Sequence, residues 1–326
     1  MNALAPRKLT TALPVVDVSA LAGDDAARRF AVGREIRAAC LDKGFMYITG
    51  HGIPEATIEA AFAASRSFFS LPLAEKDALD MKHSFCNRGY EPIKRQTLEE
   101  GAPPDLKESF YLGPDLPLDD PRVVRGLFNH GPNRWPDLDG FRPAMEAYQA
   151  AVTALAARLL RGLALSLDLD EDFFEAFAHE PFVGLRLIRY PQQPSVALPD
   201  EKGCGAHTDF GGITVLAQDE NSGLQVYDPV EGWVEAPPRP GSFVVNLGDF
   251  VARWTNDLYR STLHRVVNLS GRERYSIATF FSGNAEYEVS CIPTCLAPGE
   301  TPKYPPTTMN RHIAEMYRRT YVSGDA

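Results

Sequence analysis

Between Pro181 and about residue 285 the chain is a succession of short apolar runs separated by turn residues: V-G-L-R-L-I-R-Y, G-I-T-V-L-A, G-L-Q-V-Y, G-S-F-V-V-N-L, T-L-H-R-V-V-N and Y-S-I-A-T-F-F. Such runs are too short for helices, and they are rich in β-branched and aromatic residues. Many short strands at near-even spacing predict a sandwich or a barrel. D-P-V-E-G-W, between two of the runs, predicts a hairpin.

The rest of the chain supplies helices and a few further strands. L-P-V-V-D-V reads as a strand, followed by a helix from about Asp24 to Lys43 with Phe30, Ile36 and Leu41 marking its apolar face. Gly44 ends that helix as glycine does at a left-handed cap. F-M-Y-I-T is a second strand, closed by G-H-G-I-P, and Pro54 opens a helix running to about Ser70. Ile58, Ala61, Phe62, Ser65 and Phe69 lie on one face of it. Residues 83–137 are rich in Pro, Gly and Asn and predict long loops with short strands, D-L-K-E-S-F-Y-L-G (105–113) being the most strand-like part. Loops of this length in a compact domain are usually functional. The strongest helix begins at Phe141, where Phe141, Met145, Tyr148, Val152, Leu155, Leu159 and Leu163 form a wide apolar stripe that needs a large surface to cover it. E-D-F-F-E-A-F predicts a short helix, and residues 307–320 return to helix. No repeat or low-complexity linker divides the 326 residues, so they are expected to form one structural unit. The expected class is mainly β with flanking helices (α+β), with an N-terminal mixed α/β region over 12–115 and a strand-rich region over 180–285.

The net charge of −10 is spread along the chain, which argues against a general nucleic-acid or anionic-membrane surface. The five cysteines, Cys40, Cys86, Cys204, Cys291 and Cys295, lack C-x-x-C spacing and fit reduced thiols in a cytoplasmic protein. M-N-A-L-A-P-R-K-L-T lacks the apolar core of a signal peptide, and no apolar stretch approaches the ~20 residues needed to span a bilayer.

Chemistry concentrates in the strand-rich half. In G-A-H-T-D-F-G-G-I-T-V-L, His207 and Asp209 are two apart, and in a strand such residues face the same side. If the sheet curls into a double-stranded roll, His264 of T-L-H-R-V-V approaches them. Two imidazoles and a carboxylate on one face of an octahedron leave three positions open, which suits Fe(II) binding oxygen and an organic ligand together. Zinc more often takes a tetrahedral site with a single open position. A zinc hydrolase would also need the absent H-E-x-x-H spacing. Ten residues beyond His264 comes R-Y-S, where alternation puts Arg274 and Ser276 on one face. An arginine fork with a neighbouring hydroxyl is a carboxylate receptor.

H-T-D, then His264, then R-Y-S resembles the non-haem Fe(II)/2-oxoglutarate-dependent dioxygenases, in the subgroup of isopenicillin N synthase and the plant anthocyanidin, flavonol and gibberellin oxidases. G-F-M-Y-I-T-G-H-G-I-P, F-F-S-L-P, D-L-K-E-S-F-Y-L-G, G-L-Q-V and N-L-G-D-F are similar to further family segments in the same order. The resemblance implies a distorted double-stranded β-helix (jelly-roll) core with iron inside, held by His207, Asp209 and His264. It implies that Arg274 and Ser276 bind the distal carboxylate of 2-oxoglutarate, with Tyr190 of L-I-R-Y-P beside them. Plant members commonly carry asparagine where this chain has Ile188, so the cosubstrate's other end is expected to be held differently, with Arg186 on the same strand face as a candidate. The implied reaction couples oxidative decarboxylation of 2-oxoglutarate, to succinate and CO2, with O2-dependent oxidation of a small organic molecule, by default hydroxylation. Ascorbate is an accessory reductant in this picture, and no obligate protein partner is evident.

Asn87, Arg88, Tyr90, Phe110 and Phe281 are the candidates for the substrate pocket. Arg88 is placed between two roles, pairing with a substrate carboxylate and facing solvent. His51 is expected to serve a turn, and His83, His130, His179 and His312 to lie at the surface or in loops. Cys204 is read as a small buried residue near the site, and Asn246 and Asp249 as organisers of a turn. Trp233 is expected in the core and Trp254 is a candidate for the pocket wall. A same-fold oxidase that does not use 2-oxoglutarate and a non-catalytic small-molecule binding protein are the alternatives.

Overall fold

The computed structural model describes residues 12–192, 201–268 and 270–320. The N-terminal segment M-N-A-L-A-P-R-K-L-T and Leu269 lie outside the described residues. The strands are β1 (Val15–Asp17), β2 (Phe45–Thr49), β3 (Gly89–Glu91), β4 (Glu108–Leu112), β5 (Phe182–Tyr190), β6 (Cys204–His207), β7 (Ile213–Gln218), β8 (Leu224–Asp228), β9 (Gly232–Glu235), β10 (Phe243–Leu247), β11 (His264–Val266) and β12 (Arg274–Gly283). They form an eight-stranded sheet in the order β1-β2-β10-β7-β12-β5-β4-β3 and a four-stranded sheet in the order β6-β11-β8-β9. A two-strand ladder joins Glu288–Val289 to Thr307–Thr308. This is the two-layered roll expected from the strand-rich half. The expected hairpin joins β8 to β9.

Side-chain alternation sorts the large sheet into two faces. Ile48, Leu185, Leu187, Val215, Val245 and Ile277 face the helices and join one apolar core. Phe45, Tyr47, Ile188, Tyr190, Val244 and Ala278 face the small sheet, where they meet Leu224, Val226 and Val266. Helix Phe141–Ser166 lies under the first face and buries all seven residues of its predicted stripe. Helices Ala26–Asp42 and Glu55–Phe69 pack on it.

Helix Ala26–Asp42 is capped by the Asp25 carboxylate, which accepts hydrogen bonds from the amides of Ala27 and Arg28. Its apolar face differs from expectation: Val32, Ile36, Ala39 and Cys40 are buried, whereas Phe30 and Leu41 are exposed. Six residues turn a helix through about 600°, so Phe30 lies about 120° from Ile36. Gly44 has φ of +66° and ends the helix as predicted, and a Cβ there would lie 2.7 Å from the Arg260 carbonyl oxygen. Trp254 packs within the core against Phe174 and Phe177. Trp233 is half-buried on β9, with the Arg265 guanidinium 4.0 Å from its ring centre. Trp254 is thus a core residue rather than a pocket wall, and Trp233 lies outside the core because β9 is the edge strand of the small sheet.

Candidate active site

His207 ends β6 and His264 begins β11, directly opposite in the antiparallel register. Their ring centres are 4.3 Å apart. Asp209 sits two residues on, where the chain turns from the small sheet to the large one. One ligand atom from each of the three residues lies within 4.8 Å of the other two. Asp209 Oδ1 is 3.8 Å from Nε2 of each imidazole. Each Nδ1 lies against a backbone carbonyl, His207 against Gly205 at 2.9 Å and His264 against Thr262 at 3.1 Å. A proton on Nδ1 satisfies those carbonyls and leaves both Nε2 lone pairs facing Asp209.

Asp209 is held as tightly as the histidines. Its Oδ2 accepts hydrogen bonds from Asn246 Nδ2 at 2.7 Å and Thr214 Oγ1 at 2.6 Å. Its backbone carbonyl accepts from the Asp249 amide at 2.9 Å. The H-T-D-F-G-G turn is pressed against the N-L-G-D turn so closely that a Cβ on Gly248 would lie 2.2 Å from the Gly211 carbonyl oxygen. Burial, then the neighbouring His207, pushes His264 down to about 4. Burial likewise pushes His207 down, against the pull of Asp209. For Asp209 burial acts upward, but the facing imidazoles and the Asn246 and Thr214 hydrogen bonds outweigh it and hold the carboxyl below its ordinary value. At neutral pH the group is two neutral imidazoles and one carboxylate, a donor set that suits a divalent first-row metal.

Beside the triad, between the sheets, is a cavity lined by Tyr190, His207, Asp209, His264, Arg274 and Ser276, among others. Arg274 is completely buried on β12. Its Nη2 donates to Gln218 Oε1 at 2.8 Å, and its Nη1 lies 3.4 Å from Ser276 Oγ. Tyr190 lies opposite it in register, with the guanidinium 4.9 Å from the ring centre. Arg274 Nε is buried without an acceptor among the described residues. A buried cation with an unused donor fits an anionic ligand group, since an unpaired buried donor is costly. Ile188 lies opposite Ser276 and puts an apolar side chain on this wall. Arg186 is on the same face but is engaged by the Glu91 carboxylate and by Gln96, and it lies over the Tyr111 ring.

A second cavity shares His207 and Asp209 and is lined by Asn87, Arg88, Tyr111, Arg186, Phe280 and Tyr317, among others. Asn87 and Arg88, two of the expected pocket candidates, both line this cavity, and Arg88 is buried rather than facing solvent. Tyr90, Phe110 and Phe281 line neither of these two cavities. Tyr90 and Phe110 are register partners, and Phe110 lies opposite Leu187 on the helix-facing side. Tyr90 donates to the buried Glu108 carboxylate, Phe110 packs on Phe68 and Phe141, and Phe281 packs on Phe177. Their neighbours Tyr111 and Phe280, one residue away along each strand, line the cavity instead.

Sequence reasoning missed the clamps. Asn246 is a strand residue bonded to Asp209 rather than only a turn organiser. Thr214 and Gln218 are the polar positions on one face of I-T-V-L-A-Q; Thr214 lines the cavity beside His207 and Asp209, and Gln218 accepts from Arg274. Glu99 and Asp105, from the long loop, accept from the amides of Ala206 and Gly205 and so anchor β6. Cys204 is a buried thiol 3.9 Å from His207 Nδ1. His51 accepts from the Ile53 amide within its turn, as expected. His130 lies in a loop, as expected, but is buried there, whereas His312 is buried on helix Met309–Thr320. His130 contacts the Phe128 carbonyl, and His312 is 3.5 Å from Asp249.

Residues 13–138 match the family model of the non-haem dioxygenase in morphine synthesis N-terminal region, and residues 182–283 match that of the 2OG-Fe(II) oxygenase superfamily. The 2-oxoglutarate-Fe(II) type oxidoreductase hxnY of Emericella nidulans is 44% identical over 97% of this chain and 92% of its own. The 2-oxoglutarate-dependent dioxygenase citB of Monascus ruber is 42% identical over 85% of this chain and 86% of its own. A full-length Neurospora crassa protein, crystallised in complex with alpha-KG (2-oxoglutarate) and thymine, superposes with a TM-score of 0.83 at 30% identity, covering 93% of this chain and 96% of that one. With relatives this similar over nearly its whole length, the chain belongs to the 2OG-Fe(II) oxygenase superfamily.

Proposed function

We propose that His207 and His264, through Nε2, and Asp209, through Oδ1, hold Fe(II), and that Arg274, with Ser276 and Tyr190 beside it, takes the distal carboxylate of 2-oxoglutarate. The observation that carries this reading is the unused Nε of buried Arg274 in the cavity that also contains the triad. Bound Fe(II) supplies positions for 2-oxoglutarate and O2 and the redox chemistry between them. In balance, 2-oxoglutarate, O2 and a substrate C–H give succinate, CO2 and a C–OH. Hydroxylation of a small organic molecule is the outcome we assign.

The chain's own residues do the positioning. Asn246 and Thr214 fix which carboxylate oxygen Asp209 presents, and the Gly205 and Thr262 carbonyls fix the tautomers of the histidines. Arg274 and Ser276 orient the cosubstrate from the far wall. Phe210, Phe280 and Ile313 exclude water from the substrate side. The N-terminal region 12–115 and the catalytic region 180–285 work as one unit in this proposal, supported by β1–β4 lying in the same sheet as β5, β7 and β12. A cytoplasmic setting is supported by the five cysteines, all free thiols.

The test is 2-oxoglutarate turnover measured as succinate formed per O2 consumed, in the wild type and in Arg274→Gln. The variant should raise the KM for 2-oxoglutarate at least tenfold. An unchanged KM would remove Arg274 from the cosubstrate site.

A further inference from the structure

Two arginines are among the largest fully buried side chains of the protein, Arg274 and Arg88. The first has a role above; the second lines the other cavity, which shares His207 and Asp209 with the metal site. Arg88 Nη1 donates to the Cys86 carbonyl at 2.8 Å and Nη2 to the Asn129 carbonyl at 2.6 Å. Both acceptors are neutral. Among the described residues Arg88 forms no salt bridge, Asp115 acting on it only from beyond ion-pair distance, and its buried Nε has no acceptor. The guanidinium lies 5.4 Å from the Phe182 ring centre.

The fold also makes room for this cation. A Cβ on Gly113 would fall 2.1 Å from Arg88 Nη2 and 2.5 Å from its guanidinium carbon, so the group occupies space that only glycine leaves free. An ion withdrawn from water without a close counter-ion is destabilising for the protein alone, and an anion brought by a ligand relieves that cost. Elsewhere the cavity wall is largely aromatic and aliphatic, with Phe182, Phe210, Phe280 and Ile313 contributing.

We propose that Arg88 determines substrate class by pairing with a carboxylate, so that the molecule oxidised beside Asp209 is a small organic acid carrying an apolar ring. This rests on the assignment of the metal and cosubstrate sites above and adds the chemistry of the remaining ligand. The neighbouring Asn87 and Asn129 amides are neutral and bonded to each other, Asn87 Nδ2 donating to Asn129 Oδ1 at 2.6 Å, so neither supplies a counter-charge for a carboxylate.

The experiment uses the full chain with Fe(II), held anaerobic and saturated with 2-oxoglutarate so that Arg274 is engaged. Benzoate, phenylacetate and 3-phenylpropionate are each titrated calorimetrically beside their own carboxamides. A charge-assisted hydrogen bond at a buried site should favour the acid by roughly 10- to 100-fold in at least one pair. Arg88→Gln should abolish that preference, and Gly113→Ala should weaken it by displacing the guanidinium. Equal or tighter binding of the amide in every pair, no binding of any acid, or an acid preference that survives Arg88→Gln would overturn the proposal. The acid–amide comparison on the wild type stands even where a variant fails to fold. Failure of the underlying assignment shows separately, as absence of the visible charge-transfer band when 2-oxoglutarate is added to the Fe(II) protein.

Discussion

Replacing Asn246 by alanine removes one of the two side-chain hydrogen bonds that fix Asp209 Oδ2, the other coming from Thr214. Asn246 bonds Oδ2, whereas Oδ1 is the oxygen that faces both imidazoles, so the substitution addresses the clamp rather than the facing oxygen. A hydrogen bond to a buried charged group contributes roughly 1.5–3 kcal/mol. Both the 2.7 Å distance and the burial of the two partners place this one within that range. If the bond orients the carboxylate for metal binding, its loss weakens affinity by about 10- to 100-fold, the usual span for groups supporting a ligand. The assay is anaerobic Fe(II) titration by calorimetry, repeated with Mn(II), with circular dichroism confirming the fold. Thr214→Val should act in the same direction. The double variant should cost less than the sum of the two, since a carboxylate that has lost one bond is already freer to turn. A metal Kd within twofold of the wild type in a folded Asn246→Ala protein would refute the reasoning.

The pH dependence of the metal-free protein follows from the histidines. His264 falls from an ordinary 6.5 to about 4 on folding, so the unfolded chain takes a proton first as pH drops. Stability should be full above about pH 6.5 and fall by roughly 3 kcal/mol as pH is lowered toward 4, and urea denaturation of His264→Leu should show a flatter slope. Phe281→Ala should cost roughly 3–5 kcal/mol in urea denaturation, because it opens a cavity against Phe177, and leave the KM for 2-oxoglutarate unchanged. Phe280→Ala, one residue away on the cavity face, should instead raise the KM for the oxidised substrate, measured by substrate-stimulated succinate formation. The opposite assignment of effects would mean that the strand faces inward on the other parity.

What the sequence made legible was the periodicity of elements and the order of their polar punctuation. The stripe of helix Phe141–Ser166 was readable because apolar spacing of three and four allows one orientation only. The H-T-D, His264 and R-Y-S positions were readable because the resemblance fixed them together. Parity was harder. Arg274 and Ser276 already imply that even-numbered positions of β12 point inward, which places Phe281 outward, yet that inference needs a strand continuous to Gly283, which only the fold shows. In β4 no such anchor exists: all five residues of E-S-F-Y-L are buried, because the strand is covered on both faces. Burial of Arg88, His130 and His312 was not legible either. It depends on loops and a C-terminal helix folding over the roll, and nothing local to those residues encodes that closure.

The central claim is that His207, Asp209 and His264 hold the iron to which 2-oxoglutarate is delivered by Arg274. Anaerobic addition of 2-oxoglutarate to the Fe(II) protein, followed by the visible metal-to-ligand charge-transfer band, tests it most directly. The band should appear in the wild type, require higher 2-oxoglutarate in Arg274→Gln, and vanish in His264→Ala. A band of undiminished intensity in folded His264→Ala, or none in the wild type, would contradict the account.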